Sequence, residues 1–249
     1  MSVDPLAEKY PGWSPYAYTL NNPVKLVDRD GMEAEEIKGD YYDNKGKYIG
    51  TDGIDDGRIY IINTQSIKDF QSMSCDALQS NSIEVEISSA KNKEKVLVNW
   101  ALKYQGLSSR YSNNPKGDRE FAMSLFSGEI NTENGTNEVF VEGNTVKGRK
   151  GVDGVSLFDS KSPIEGWKAT ETIHTHRWGS SGNFSNSRGY LGDDVSYAVK
   201  TGNPLYLVAP YAQYIGKFNP KAYTKYINNG RSYKKAQKYS TNKNAIKIR

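Results

Sequence analysis

Short stretches in which apolar and polar residues alternate predict a series of β-strands along the chain. Residues 82–87 alternate isoleucine or valine with serine or glutamate, the pattern of a strand with one buried face. Residues 41–49 place Asn44 and Gly46 between two aromatic-rich arms, which predicts a hairpin. Further strands are predicted at residues 57–63, 119–126, 139–141, 204–209 and 214–218, with 139–141 pairing with 119–126 and 214–218 with 204–209.

Two stretches change to a helical period. In residues 93–105 the apolar side chains fall on one helical face, and Gly106 is predicted to end this helix. Residues 193–201 form a shorter predicted helix, which Gly202 closes. Strands and helices in this order predict an α/β (α+β) fold, in which a mixed central β-sheet is flanked by helices.

The composition is that of a soluble protein with long polar connections. Hydrophobic residues make up 36% of the 249 residues, and the mean hydropathy is −0.74. No apolar run approaches the length of a membrane span, so no membrane span is expected. The N-terminus lacks the basic and apolar regions of a signal peptide, and any export is expected to use another route. The single cysteine, Cys75, excludes an internal disulfide framework and a cysteine-based zinc cage.

Positive charge is concentrated at the C-terminal end of the chain. Residues 221–249 contain nine Lys or Arg and no acidic residue, although the formal net charge of the whole chain is only +4. Such a basic tail favours contact with nucleic acid, an anionic surface or an acidic partner. The alternative is a solvated, partly disordered terminus.

The only two histidines of the chain, His174 and His176, lie two residues apart. The stretch 170–173 before them is rich in β-branched residues, which predicts that the pair lies on a strand. Side chains at positions i and i+2 of a strand point the same way, so both imidazoles can reach one metal ion. The alternative is an exposed pair of histidines on a loop.

A metal site of the catalytic kind needs a third ligand and a base. Zinc in enzymes commonly has about three protein ligands, with an open position for water. Asp193 and Asp194 stand in the first turn of the predicted helix 193–201 and can supply that ligand. Both can instead cap the helix, because aspartate favours helix N-termini without any metal.

The first 32 residues carry a dense series of short motifs. Asp-Pro-Leu-Ala-Glu-Lys-Tyr-Pro occupies residues 4–11, Ser-Pro-Tyr follows at 14–16 and Asn-Asn-Pro at 21–23. A closing motif stands at 28–31, where Arg29 replaces a proline. This series resembles the end of the repeat-associated core of Rhs/YD-repeat proteins. The resemblance implies the tip and C-terminal toxin of a polymorphic toxin, an effector of interbacterial competition secreted by a type VI-like or other contact-dependent route.

The order of a strand with His-x-His, a loop, an aspartate that opens a helix and an apolar strand resembles the JAB/JAMM metalloprotease domain, in the divergent form found in bacterial toxins. The resemblance covers about residues 95–220 and implies a JAB/cytidine-deaminase-like fold. It implies that His174, His176 and Asp194 bind zinc, with Asp193 as a close alternative. Glu120 matches the family's glutamate, which acts as a base through the metal-bound water.

Three features depart from the family pattern. Arg177 stands where the family usually has proline, and the loop between the histidines and Asp194 is longer than in compact members. If Asp194 is the ligand, Leu191 occupies the position of the serine that stabilises the oxyanion. Ser185 or Ser187 can replace that serine if the loop folds back towards the metal.

These motifs divide the chain into four parts. They are the short irregular end of the Rhs core at 1–32, a connector with a hairpin and strands at 33–90, a JAB-like toxin domain at 91–220 and the basic tail at 221–249. The expected function is a zinc-dependent hydrolase that cleaves an amide or isopeptide bond of a protein or peptide in the target cell. A metal-dependent nuclease and a non-enzymatic module that binds a target are the alternatives. The implied partners are a cognate immunity protein and a secretion-apparatus component or chaperone, with nucleic acid as an alternative partner of the tail.

Overall fold

The structure is a computed structural model that describes residues 26–27, 35–36, 40–51, 57–62, 68, 70, 72–73, 75–132, 134–179, 183–185 and 193–248. Within these ranges the chain forms two compact units. The first unit contains the described residues up to 86 together with 128–139, and the second contains 87–127 and 140–248. The Rhs-like motifs of residues 4–31 lie outside the described residues, apart from 26–27.

The first unit is mainly a small sheet. Its described elements are strands β1 (Leu26–Val27), β2 (Glu35–Glu36), β3 (Asp40–Tyr42), β4 (Tyr48–Thr51), β5 (Ile59–Ile62), helix α1 (Cys75–Ser80) and strand β6 (Ser82–Ile87). β3 and β4 form the predicted hairpin, β3 runs parallel to β5, and β5 pairs antiparallel with β6. The core of this sheet packs Tyr41, Tyr60, Ile62 and Leu78 together. The strands predicted at 57–63 and 82–87 are therefore confirmed.

The second unit is a mixed α/β unit. Its elements are α2 (Ala90–Ser108), β7 (Phe121–Thr132), β8 (Gly135–Glu142), β9 (Val146–Lys147), β10 (Lys168–Thr175), α3 (Asp194–Thr201), β11 (Leu205–Val208), β12 (Tyr214–Phe218), α4 (Pro220–Asn228), α5 (Tyr233–Ser240) and β13 (Thr241–Lys247). The C-terminal end of β7 and the N-terminal end of β8, residues 128–139, belong to the first unit.

The sheet of the second unit contains both parallel and antiparallel pairs. Its strand order is β13, β12, β11, β10, β7 and β8. β10 and β11 are parallel, because α3 connects them, whereas β10 pairs antiparallel with β7 and β12 with both β11 and β13. The predicted mixed sheet with flanking helices is confirmed, including the pairing of 214–218 with 204–209.

The two faces of this sheet bury different sets of side chains. On one face, Phe121, Met123 and Ile173 belong to a cluster that also contains Leu97 and Trp100 of α2. On the other face, Ala122 and Leu207 cluster with Val195 and Ala198 of α3, together with residues of α4 and α5. Because successive strand residues point to opposite faces, β7 and β11 each contribute to both clusters.

Helix α2 is longer at both ends than its periodicity predicts. It begins at Ala90, where the Ser89 hydroxyl caps it by accepting a hydrogen bond from the Asn92 N–H at 3.1 Å. It continues through Gly106 to Ser108, so the prediction that this glycine ends the helix is wrong. Leu107 packs on the core cluster and holds the last turn in place, which outweighs the weak helix propensity of glycine. Neither α2 nor any other described helix combines the length and apolar character needed to cross a membrane.

The basic C-terminal stretch is folded. Residues 220–247 form α4, α5 and β13, and β13 pairs with β12 at the edge of the sheet. Tyr223, Ala236 and Ile246 are buried, and they anchor the stretch to the second unit. The alternative of a partly disordered terminus is therefore wrong for residues 220–248.

Candidate metal centre

Strand β10 presents the two histidines on one face of the sheet. Thr172 and His174 alternate along it, and His176 comes directly after its last residue, with the two imidazole ring centroids 5.1 Å apart. In the antiparallel pairing with β7, Thr172 lies opposite Ser124 and His174 lies opposite Ala122. His176 follows the end of β10, and Glu120 precedes the start of β7, so both residues lie just beyond the paired ends of the two strands. Both side chains line one cavity.

Helix α3 brings one carboxylate to the two imidazoles. Asp194 is the first residue of the helix, and its Oδ1 lies 3.1 Å from His174 Nε2. Its Oδ2 lies 3.3 Å from His176 Nε2, and the two Nε2 atoms are 3.3 Å apart. The three residues offer ligand atoms that all lie within 4.8 Å of one another. This buried group can hold a metal ion.

Asp193 serves the helix instead. Its carboxylate accepts a hydrogen bond from the Ser196 N–H at 2.7 Å, and its backbone is extended, as expected of an N-cap residue. Of the two aspartates that the sequence leaves open as ligands, the structure brings Asp194 to the histidines and uses Asp193 to cap α3.

His174 is held by a hydrogen bond on the far side of its ring. Its side chain is 1% exposed, and its Nδ1 lies 3.0 Å from the carbonyl oxygen of Tyr206. A carbonyl can only accept, so Nδ1 carries the hydrogen and Nε2 keeps a free lone pair in the neutral ring. Such outer partners orient metal-binding histidines in many proteins. His174 is thus preset to offer Nε2 towards Asp194 and His176.

Ser185 lies against the Asp194 carboxylate. The Ser185 N–H donates to Asp194 Oδ2 at 2.7 Å, and the Ser185 hydroxyl accepts from the Asp194 N–H at 3.0 Å. Burial alone would raise the pKa of Asp194, but the adjoining His174 and His176 outweigh it and hold the pKa below its usual range. The carboxylate is therefore ionised. Ser187, the other candidate serine, lies outside the described residues.

Glu120 is buried beside this group. Burial is the main effect on its carboxyl and raises the pKa of Glu120 from the ordinary 4.5 to about 7. His176 and a hydrogen bond from the Gly154 N–H act in the opposite direction, and Asp194 adds to the rise. A glutamate with a pKa near neutrality can both accept and return a proton at physiological pH.

A cavity of about 410 Å³ joins these side chains. Glu120, His174, His176, Ser185 and Asp194 line it, together with Trp178. His174 is fully enclosed, whereas the His176 side chain is 20% exposed and Trp178 is 60% exposed. The cavity therefore reaches the surface on the side of His176 and is a size that admits a small part of a larger molecule.

An ion-pair group stands at the rim of the cavity. The Arg177 guanidinium donates to Asp118 Oδ1 at 2.6 Å and to Asp153 Oδ1 at 2.9 Å, and the Trp178 indole N–H donates to Asp153 Oδ2 at 3.1 Å. Arg177, which stands where the JAB/JAMM pattern has proline, thus ties the end of β10 to two neighbouring loops.

Sequence reasoning named five residues that the structure brings close together, but it missed their surroundings. The structure brings His174, His176, Asp194, Glu120 and Ser185 to one cavity. It adds a wall formed by residues 153–157, for which the sequence carries no periodic signal. The partner of His174 Nδ1 is a backbone carbonyl, which no residue type could reveal.

Comparison of the chain with protein-family models, with curated proteins and with solved structures finds no match. What the site can do therefore rests on its own residues.

Proposed function

We propose that the second unit is a zinc-dependent hydrolase that cleaves an amide or isopeptide bond. The single observation that supports it most is the convergence of His174, His176, Asp194 and Glu120 in one cavity. The Rhs-like and JAB/JAMM-like motifs add the biological setting, in which the chain is the C-terminal toxin of a polymorphic toxin and the fold is JAB/cytidine-deaminase-like.

The donor set fits zinc. Two imidazole nitrogens and one carboxylate oxygen are ligands that Zn²⁺ takes in catalytic sites, with a fourth position left open. Tetrahedral ligands at ~2.0–2.1 Å from zinc lie ~3.3 Å from one another. The two Nε2 atoms are 3.3 Å apart, and His174 Nε2 lies 3.1 Å from Asp194 Oδ1. The ionised Asp194 offsets one of the two charges of the ion.

The residues around the proposed zinc site have distinct parts in hydrolysis. Bound zinc would supply Lewis acidity, which polarises a carbonyl and lowers the pKa of water from about 15.7 to about 7. Glu120, with its pKa near 7, takes a proton from the attacking water and passes it to the leaving amine. Tyr206 keeps His174 oriented through its carbonyl oxygen. Ser185 holds Asp194, and its hydroxyl hydrogen can donate towards the cavity.

The first experiment measures metal content. The purified chain is expected to hold about one zinc per molecule, and His174→Ala is expected to lose it while remaining folded. Asp193→Asn serves as the matched control, because asparagine caps helices about as well as aspartate and should keep the zinc. A folded, metal-free chain that does not take up added zinc would overturn the proposal.

The second experiment measures turnover. Casein and a lysine-linked isopeptide reporter are incubated with the zinc-loaded chain and with Glu120→Gln. Cleavage by the unaltered chain and a loss of at least a hundredfold in the variant are expected, since general acid–base catalysis contributes about 10²–10⁴-fold. No cleavage of either substrate by the zinc-loaded chain counts against peptidase chemistry.

A metal-dependent nuclease is the second candidate, and one observation favours it. All eight Lys and Arg side chains of residues 221–248 are exposed, seven of them on α4, α5 or β13, where they can contact phosphates. Plasmid DNA and total RNA, incubated with the same zinc-loaded chain and with other divalent cations, separate this activity from peptide hydrolysis.

Toxicity to bacteria that survives in a Glu120→Ala/His174→Ala double variant would instead point to a non-enzymatic module that binds its target.

A further inference from the structure

Three buried hydroxyl groups form a continuous chain beside the metal centre. Ser124 Oγ lies 2.8 Å from Thr172 Oγ1, and Thr172 Oγ1 lies 2.9 Å from the Tyr197 hydroxyl. The three residues are 1%, 0% and 5% exposed, so water does not compete for these bonds. Buried hydroxyls are costly unless they are hydrogen-bonded, and the chain satisfies all three.

Each hydroxyl belongs to an element that also carries a residue of the site. Ser124 lies on β7, four residues after Glu120, and Thr172 lies on β10, two residues before His174. Tyr197 lies on α3, three residues after Asp194. The hydroxyl chain therefore cross-links the two strands and the helix whose relative positions determine the distances in the metal centre.

The helix needs such a link more than the strands do. β7 and β10 are already in register through their backbone pairing. Helix α3 rests on the sheet through Val195 and Ala198, and apolar contacts of this kind are not directional. Directional bonds also hold α3: Ser185 binds Asp194 in its first turn, and Thr172 binds the Tyr197 hydroxyl. Of these, the Tyr197–Thr172 bond joins the helix to β10, the strand that carries His174.

The ring of Tyr197 is itself held in place. The Phe158 ring packs against it edge-on, with the ring centroids 4.6 Å apart. A ring fixed in this way aims its hydroxyl at one point on β10. The hydroxyl is thus oriented towards Thr172, where its hydrogen bond limits movement of α3 along β10.

We propose that the Ser124–Thr172–Tyr197 hydroxyl chain is the positioning device of the metal centre: it anchors helix α3, and with it Asp194, to the strand that bears the histidines. None of the three residues contacts a reacting atom, so they are positioning residues. The anchoring is a property of the fold alone, whereas its effect on metal affinity rests on the proposed function.

The chain offers a closely matched control. Thr170 lies on the same strand as Thr172, and its hydroxyl lies 3.0 Å from Ser127 Oγ on β7. This second pair links the same two strands but does not reach α3. Thr172→Val and Thr170→Val therefore make the same chemical change two residues apart, and only the first cuts the link to the helix.

The first measurement is amide hydrogen exchange in the metal-free protein. In Tyr197→Phe and Thr172→Val, the amides of α3 are expected to exchange about fivefold faster or more, as the loss of one buried hydrogen bond allows. Thr172→Ser keeps the hydroxyl and should restore slow exchange. Unchanged exchange in α3, or an equal acceleration in α2, would overturn the proposal, because either result shows that the bond does not anchor α3 in particular.

The second measurement is zinc affinity, determined by competition with a chelator. Tyr197→Phe and Thr172→Val are expected to bind zinc about 10–100-fold more weakly, the usual effect of removing an outer partner of a metal site. Thr170→Val should stay within about twofold of the unaltered chain, since its lost bond does not reach α3. Equal losses of zinc affinity in Thr170→Val and Thr172→Val would contradict the positioning role. If the unaltered chain binds no zinc, the proposed function fails, and the exchange measurement still decides whether α3 is anchored.

Discussion

The two faces of the sheet in the second unit come from the same strands and differ by a step of one residue. Phe121 and Ile173 point towards α2 and are buried among apolar side chains. Their neighbours Glu120, Thr172 and His174 point towards the α3 side, and they are equally buried but polar or ionisable. The same region of the sheet thus forms a packed core on one side and the candidate site on the other.

This difference shows how a fold can carry a site of buried ionisable groups. The α2 face is held mainly by burial of apolar area, and apolar side chains need no hydrogen-bond partners. On the α3 face, buried polar groups must find partners, and His174, Asp194 and Thr172 all do. Burial of the apolar face stabilises the fold, and burial of ionisable groups on the other face offsets part of that stabilisation.

The largest expected effect belongs to the apolar face. Phe121 is 1% exposed, and its ring lies 4.9 Å from that of Tyr104. Phe121→Ala is expected to lower the free energy of unfolding by about 3–5 kcal/mol, because it removes buried area and leaves a cavity. Denaturant unfolding measures this loss. Tyr111→Ala is the control, since Tyr111 is 75% exposed and should cost less than about 0.5 kcal/mol. Equal losses in both variants would show that this face is not the stable one.

The neighbouring residue on the other face is expected to act in the opposite direction. Folded Glu120 keeps its proton up to a pKa of about 7, whereas in the unfolded chain it loses that proton near the ordinary 4.5. The folded state therefore binds more protons between these values, and its stability falls as pH rises through that window. Above pH 7 the full cost is present, on the order of 3 kcal/mol for a shift of this size.

Glu120→Gln removes this ionisation. In chelator-treated protein the variant is expected to match the unaltered chain near pH 4.5 and to become the more stable one as pH rises to 8, by up to about 3 kcal/mol. Denaturant unfolding at pH 4.5, 6 and 8 tests this. Glu129→Gln is the matched control, since Glu129 is exposed on β7, the strand that follows Glu120, and should show no such divergence. A constant difference between Glu120→Gln and the unaltered chain across this range would contradict the prediction.

Much of the second unit follows from local sequence patterns. The continuous apolar run at 204–209 predicts a buried strand, and 214–218 is predicted to pair with it. The spacing of His174 and His176 predicts a shared face, because side chains two residues apart in a strand point the same way. The assignment of Glu120 to the site rests on the resemblance to the JAB/JAMM pattern, because local periodicity does not show which strand lies beside β10.

Other features depend on contacts that are distant in sequence. Gly106 remains helical because Leu107 reaches the core, and local propensity contains no information on that packing. The charge-rich stretch 220–248 folds because a few apolar residues, among them Tyr223 and Ile246, find places on the sheet. Its average composition hides those residues. The wall at 153–157 is a loop, and its approach to Glu120 has no periodic signature.

The smallest expected effect is on stability, and it distinguishes Asp193 from Asp194, which the sequence leaves as close alternatives for the metal ligand. Helix boundaries predicted from sequence are uncertain by one or two residues, so the N-cap and the first helical position could not be told apart. Asp193→Ala removes the cap and is expected to lower the free energy of unfolding by about 1 kcal/mol, with zinc affinity unchanged. Asp193→Asn should restore the stability, because the asparagine side chain can accept the same bond from Ser196. Asp194→Ala should abolish zinc binding. Thermal unfolding with and without zinc distinguishes these outcomes, and a loss of zinc stabilisation in Asp193→Ala as large as that in Asp194→Ala would mean that both carboxylates serve the metal.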